Sequence, residues 1–414
     1  MNTSVVITGI GIVSPLGNTL KTFTEATYLG VPAIQPIEHF DTSGFSSSLA
    51  GQVLGFSADE HLNGRMLAQT DRVTRFALMA SDQVIADTGL DLSELDEHAV
   101  GVVTSNATGG FDYTHREMQK LWTRGPDSVS VYQAFAWFYA VNTGQISIRH
   151  KLKGPSGVVV SDQSGGLDAV AHGRRTVRQG ATASIVGGVE SSFDPWGWTS
   201  HCASGRLSQA LRPENGYLPF DERANGYVPC EGGALLMLEA EETAKARSNY
   251  QPYARVAGHG ATFDSSEGHT GLRRAAETAL TDAGRTPADI DLVLADAAGL
   301  PWLDEHEATA IRELFGPNGV PVSAPKTMIG RALAGAGAID VVWAVLAIQE
   351  NLIPPTIYVT AIPEDYQIDL VTRAPRVAEV NTVLILARGH GGFNSALVVE
   401  RPHLENVSIA RSTT

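Results

Sequence analysis

Cysteine is nearly absent: Cys202 and Cys230 are the only two in 414 residues. That excludes a disulfide framework and any zinc site built on thiolates, and it fits a reducing compartment. Basic charge is also scarce. Thirty Lys and Arg stand against 45 Asp and Glu, a formal net charge of −15, so the chain lacks the basic footprint that nucleic acid or an anionic membrane surface requires. No cation precedes Lys21, so the start MNTSVVITGIGIVSP lacks the charged opening of a signal peptide. The most hydrophobic stretch, Val341 to Ile348, falls far short of the roughly 20 residues that span a bilayer. These absences predict a cytoplasmic protein with no nucleic-acid or membrane partner. Present instead are 43% apolar residues, only 18% charged residues and 42 glycines, enough for a large core with many tight turns and close backbone approaches.

Short β-rich apolar runs ending in glycine alternate with longer helical patterns. SVVITGIGI (4–12), AVGVVTSNATGG (99–110), SGVVVSDQSGG (156–166) and ASIVGGVESS (183–192) form one series. YARVAGHGAT (253–262), IDLVLADAAG (290–299), VPVSAPKTMIG (320–330) and TVLILARGHGGFNSALVVE (382–400) form another. Continuous runs of this kind read as strands buried on both faces, and their alternation with helices indicates an α/β protein. The two series correspond in order: 4–12 with 253–262, 99–110 with 290–299, and the turn at 161–166 with that at 323–330. This predicts an internal duplication, with halves 1–250 and 251–414 and a polar seam at Thr243–Tyr253.

Candidate chemistry centres on VVVSDQSGGLDAVAHG (158–173), which reads as strand, sharp turn and helix. A helix N-terminus behind a strand gathers unpaired N–H groups and positive dipole. A serine elbow at Ser164 would need G-x-S-x-G, and the first glycine is missing from Asp162-Gln163-Ser164-Gly165-Gly166; a tight turn packed by small residues is the competing account. His115, His172, His201, His259, His269 and His390 show no ligand spacing and no HExxH occurs. GIGIVSPLG (9–17) lacks the third glycine of a dinucleotide loop, and Pro15 interrupts the following helix.

At this turn the chain resembles the β-ketoacyl synthase family of the thiolase superfamily. Active members carry G-C-T-S-G-L-D or similar where this chain has Asp162-Gln163-Ser164-Gly165-Gly166-Leu167-Asp168. PFDERANGYVPCEGG (219–233) and GGFNSA (391–396) resemble two further family stretches. The resemblance implies a thiolase-like five-layered αβαβα sandwich of two duplicated halves, with two mixed sheets stacked on helices. It also implies three altered catalytic positions. Gln163 stands in the cysteine slot, Asp296 in the first histidine slot and Arg331 in the second, while Glu307 and Lys326 are retained. Gln163 cannot form a thioester, Asp296 has the wrong charge to stabilise an enolate, and Arg331 cannot cycle a proton. No autonomous condensing activity is therefore expected. Asp296 and Arg331 are expected to form a bidentate ion pair, and Lys326 and Glu307 a second, so that side chains fill the vestigial site.

A Gln in that slot, with TSNATGGFDYTHREMQKLW (104–122), FAWFYAVNTGQISIRH (135–150) and DPWGW (194–198), is similar to the chain length factor, or ketosynthase β subunit, of bacterial type II polyketide synthases. That subfamily pairs with a condensing ketosynthase α subunit. Together they act on malonyl thioesters carried by a phosphopantetheinyl acyl carrier protein, and no cofactor is implied on the β chain itself. Phe111, Thr114 and Met118 share one helical face; the resemblance makes them walls of the tunnel that limits polyketide length, where the residues alone would also allow a plain core stripe. Trp196 and Trp198 are candidates for the interface and tunnel wall. Two other activities stay open at this point: a malonyl-carrier-protein decarboxylase working through Gln163, and a serine hydrolase at Ser164.

Overall fold

Val5–Val13 (β1, VVITGIGIV) is buried along its whole length, as expected for a strand covered on both faces. It lies near the middle of an eleven-stranded mixed sheet in a computed structural model that describes residues 3–247, 250–264 and 270–402. Ser248 and Asn249 of the expected seam, and His269, lie outside the described residues. The other strands, in chain order, are β2 (Val100–Ser105), β3 (Ser156–Val159), β4 (Ala183–Glu190), β5 (Gly232–Ala240), β6 (Ala254–Phe263), β7 (Leu292–Leu294), β8 (Pro321–Ser323), β9 (Asp369–Leu370), β10 (Thr382–Arg388) and β11 (Phe393–Glu400).

The order across the sheet is β9-β8-β7-β10-β11-β6-β1-β5-β4-β2-β3. Read outward from the β1/β6 junction, the two sides repeat each other. β1 pairs antiparallel with β5 as β6 does with β11. β5 pairs antiparallel with β4 as β11 does with β10. Two parallel pairings follow on each side, β4–β2–β3 and β10–β7–β8. The expectation of two separate stacked sheets needs one refinement. The sides are hydrogen-bonded to each other through two residue pairs, Val6–Arg255 and Ile7–Ala254. Strand periodicity tells which segments are strands, not which strand edges meet. Here the two edge strands nearest the centre satisfy part of each other's backbone.

The sandwich follows from the helices. α4 (Gly165–Arg178) and α8 (Ala334–Glu350) touch strands of both sides of the sheet and each other. α8 is buried continuously from Ala334 to Ile348, the signature of a helix apolar all round. The two helices approach closely: a Cβ on Gly166 would stand 2.6 Å from the Ala338 nitrogen. α1 (Arg72–Thr88) covers the outer face beside β1 and β5, and α6 (Gly271–Ala283) covers that beside β6 and β11. The largest core cluster joins Ile7 and Leu236 of one side to Leu294 and Ile385 of the other through Val341 and Trp343 of α8.

Candidate functional site

The turn between β3 and α4 puts Asp162 in a left-handed conformation (φ 52°) and buries Gln163 and Ser164. Ser164 is sealed off. Its hydroxyl donates to the Ser161 carbonyl at 2.7 Å, and the residue has no exposed surface. A histidine that sequence reasoning did not connect to this turn is His259 on β6. Its Nε2 lies 3.3 Å from Asp168 Oδ1 and 3.1 Å from Ser395 Oγ. A single ring nitrogen serves both groups and Ser164 is not one of them. A Ser-His-Asp relay needs the base to bridge nucleophile and carboxylate through its two nitrogens, so the serine-hydrolase reading is not supported.

Gln163, Asp296 and Arg331, far apart in sequence, converge on one cavity of about 620 Å³. The cavity corrects the expectation of a filled site, and the ion network explains it. Arg331 Nη2 donates to Asp296 Oδ1 at 2.9 Å, while its Nη1 donates to the Asp296 carbonyl at 2.6 Å. The bidentate partner of the Asp296 carboxylate is instead Arg388, at the end of β10. Its backbone N donates to Oδ1 at 2.9 Å and its Nε to Oδ2 at 3.1 Å. Arg388 Nη2 also donates to Glu307 Oε2 at 2.9 Å, and Glu307 accepts from the Asp296 and Ala297 nitrogens at 2.7 and 2.9 Å. Thus Glu307 pairs with Arg388, not Lys326. Lys326 Nζ turns to Asp340 Oδ2 of α8 at 2.8 Å and to the Ala295 carbonyl at 2.7 Å. Both arginines are drawn to the wall of the cavity and leave its centre open. The visible sign of Asp340 was a single carboxylate inside the otherwise apolar AGAGAIDVVWAVLAI.

Burial alone would raise the Asp296 carboxyl, but the charges of Arg331, Arg388 and Lys326 outweigh it and hold it well below the usual range. Burial pushes Glu307 upward, Asp296 adds to the rise, and Arg388 offsets only part. Asp340 is pushed up to about 6 by burial, against the pull of Lys326. His201 on the cavity wall is lowered to about 4 by burial and is neutral.

Three of the expected tunnel residues lie on α2 (Phe111–Arg124), whose buried face is Tyr113 and Glu117, and the fourth, Trp196, on the helix Pro195–Ala203. Phe111, Thr114 and Met118 are half-buried, so they are not the core stripe of that helix. Phe111 lines the cavity and its ring packs 5.5 Å from that of Trp196, which is 43% exposed. Thr114, Met118 and Trp196 are not part of the cavity wall. Trp198 departs from expectation: it is fully buried, donates its indole N–H to the Ser47 carbonyl at 2.9 Å and packs with Phe40 and Phe193.

Glu190, at the end of β4, ties down the loop that opens α2. It accepts from the Ala107 nitrogen at 2.8 Å, from Asn106 Nδ2 at 3.2 Å and from the Thr108 hydroxyl. Burial raises it from 4.5 to about 7, opposed by those hydrogen bonds and reinforced by Asp162. The folded chain therefore keeps a proton that the unfolded chain gives up, and stability falls as pH rises from 4.5 to about 7. Glu190→Gln should flatten that fall, which is on the order of 3 kcal/mol, in urea unfolding at a series of pH values. An unchanged slope would clear Glu190 as its source.

The fold is that of the ketosynthases. The chain belongs to the β-ketoacyl synthase family: its N-terminal domain model matches residues 2–244 and its C-terminal domain model residues 253–360. The chain is 52% identical over 401 residues, 96% of this chain and 98% of the other, to the actinorhodin polyketide beta-ketoacyl synthase 2 of Streptomyces coelicolor. With the tetracenomycin polyketide synthase ketoacyl synthase beta subunit of Streptomyces glaucescens the identity is 50%, over 96% and 98% of the two chains. Among solved structures, the ishigamide ketosynthase/chain length factor superposes with a TM-score of 0.91 at 24% identity, covering 97% of this chain and 100% of the other. Among the described residues, no helix is long and apolar enough to cross a membrane.

Proposed function

We propose that this chain is the non-condensing β subunit, or chain length factor, of a heterodimeric ketosynthase in a type II polyketide synthase. The ketosynthase α subunit performs decarboxylative condensation of malonyl units carried on a phosphopantetheinyl acyl carrier protein, in the cytoplasm. The β subunit shapes the shared tunnel, with Phe111, Thr114, Met118 and Trp196 at its wall and halves meeting near residue 250. The observation that carries this reading is the cavity wall itself. Gln163 offers an amide where condensation needs a thiolate, and Asp296 is locked as an anion between Arg331 and Arg388. The names of the similar Streptomyces proteins support it. So does a neighbouring type II acyl-carrier-protein–ketosynthase complex of the same fold, with a TM-score of 0.88.

An open strand edge and exposed apolar side chains support docking of the α subunit. β3 pairs only with β2 among the described residues, which leaves its outer edge open. Val160 beyond it is 48% exposed, and Trp137, Phe138 and Tyr139 are 47%, 38% and 38% exposed. The test is co-expression with a Cys-His-His ketosynthase: the two should co-purify and make polyketide together. This chain alone should release no CO₂ from malonyl carrier protein. Steady CO₂ release that disappears in Gln163→Ala would establish the decarboxylase reading instead.

A further inference from the structure

The start of α2 and the start of the helix Pro195–Ala203 stand between two cavities. Phe111, Ser192 and Gly197 line the cavity of about 620 Å³ described above. Their chain neighbours Asp112, His115, Phe193, Asp194 and Pro195 line a second one, of about 280 Å³. Close packing fixes most interior elements from all sides. A partition with open space behind it depends instead on the ties between its own members. Among the described residues, one hydrogen bond joins these two members: His115 Nδ1 lies 2.7 Å from Asp194 Oδ2, and both side chains are largely buried. The groups on either side fix its sense. Gln119 donates its amide N–H to His115 Nε2 at 3.0 Å, which puts the ring proton on Nδ1, facing the carboxylate. Asp194 is the N-cap of the second helix, accepting from the Trp196 and Gly197 nitrogens at 3.0 Å each. The carboxylate that starts the helix carrying Trp196 is thus fastened to the helix carrying Phe111, and the two rings meet 5.5 Å apart.

We infer that His115, acting through Asp194, is a positioning residue: their link holds the Phe111–Trp196 pair forward at the tunnel wall, and without it the partition yields into the second cavity. The inference rests on the chain-length reading above. Neither His115 nor Asp194 lines the first cavity, so neither is a wall residue itself. They set where the wall stands, and the space behind it sets the direction of the effect, toward longer products.

The test weighs the products of the reconstituted pair by mass spectrometry, with Met118→Trp measured alongside. His115→Leu keeps a helix-forming apolar side chain and removes the donor. Asp194→Ser keeps an N-cap but is too short to reach the imidazole. In each, the share of the major product should fall about twofold or more, replaced by products longer by at least one two-carbon unit. His115→Asn sets an amide N–H where Nδ1 stood and should restore the original pattern, a rescue that distinguishes the link from mere bulk. His115→Leu combined with Asp194→Ser should shift the products no further than either change alone, because both remove one shared interaction. Should Asp194→Ser fail to fold, His115→Leu and its rescue by asparagine decide. Lower melting temperature and yield with an unchanged product pattern would make the link structural only and overturn the inference. A shift with Met118→Trp and none with the link variants overturns this inference and leaves the chain-length reading standing. No shift in any variant overturns both.

Discussion

Asp296→Ala is expected to cost about 3–5 kcal/mol, because removing one member of a buried ion network leaves the others charged and unpaired. Asp296 has no exposed surface and receives Arg331 on one side and Arg388 on the other. Without it, Arg388 keeps Glu307, while Arg331 loses its carboxylate partner among the described residues. Asp296→Asn keeps the shape and an acceptor oxygen but not the charge, so it should fall between wild type and alanine. The Asp296 carboxyl is held below its ordinary 3.8. Its contribution is therefore complete above that value and lost only as pH falls through the lower folded value. The alanine deficit should accordingly still be present at about pH 5 and shrink only as pH falls through that lower value. Denaturant unfolding of the purified complex measures this, and a deficit under about 1 kcal/mol would show that the network carries no net stability.

The second large effect concerns the product. Met118 is half-buried on the face of α2 that also carries Phe111 and Thr114, away from the buried Tyr113 and Glu117. If that face lines the tunnel, Met118→Trp places a rigid ring where a flexible chain stood. The last extensions should be blocked, and the polyketide should shorten by at least one two-carbon unit. Met118→Ala opens the same space and should lengthen it. Overpacking at a closed site costs about 1–3 kcal/mol, so a purely structural Met118 predicts lower yield with an unchanged product. Mass spectrometry of the reconstituted pair separates the two outcomes. An unchanged ketide count in both variants, with folded protein, removes Met118 from the tunnel wall.

Most strands were legible because they are continuous apolar runs closed by glycine, and the duplication because such runs recur in one order; β5 (GGALLMLEA), which opens on glycine instead, and the two-residue β9 were not. The junction of β1 with β6 was not, since hydrogen-bond partners at a strand edge leave no periodic trace. At the site, the sequence brought Gln163, Asp296 and Arg331 together through the resemblance alone, and they do share a cavity. It misassigned the pairing of Glu307 and Lys326. Charge complementarity along a chain says that cations and carboxylates must pair when buried, not which will reach which; Arg388 and Asp340 lie closer in space. Trp196 and Trp198 are two positions apart on one helix and so point to nearly opposite sides. That geometry was available in the sequence, and it is why one is half-exposed while the other is core.

The open edge of β3 bears on the life of the chain outside its complex. A short valine-rich strand whose outer edge is unpaired among the described residues is a template for any other extended segment, including a second copy of itself. Copies made in excess of a covering subunit are the ones that cluster and are cleared. Matched rates of synthesis for the two subunits would then be a requirement of solubility as much as of catalysis.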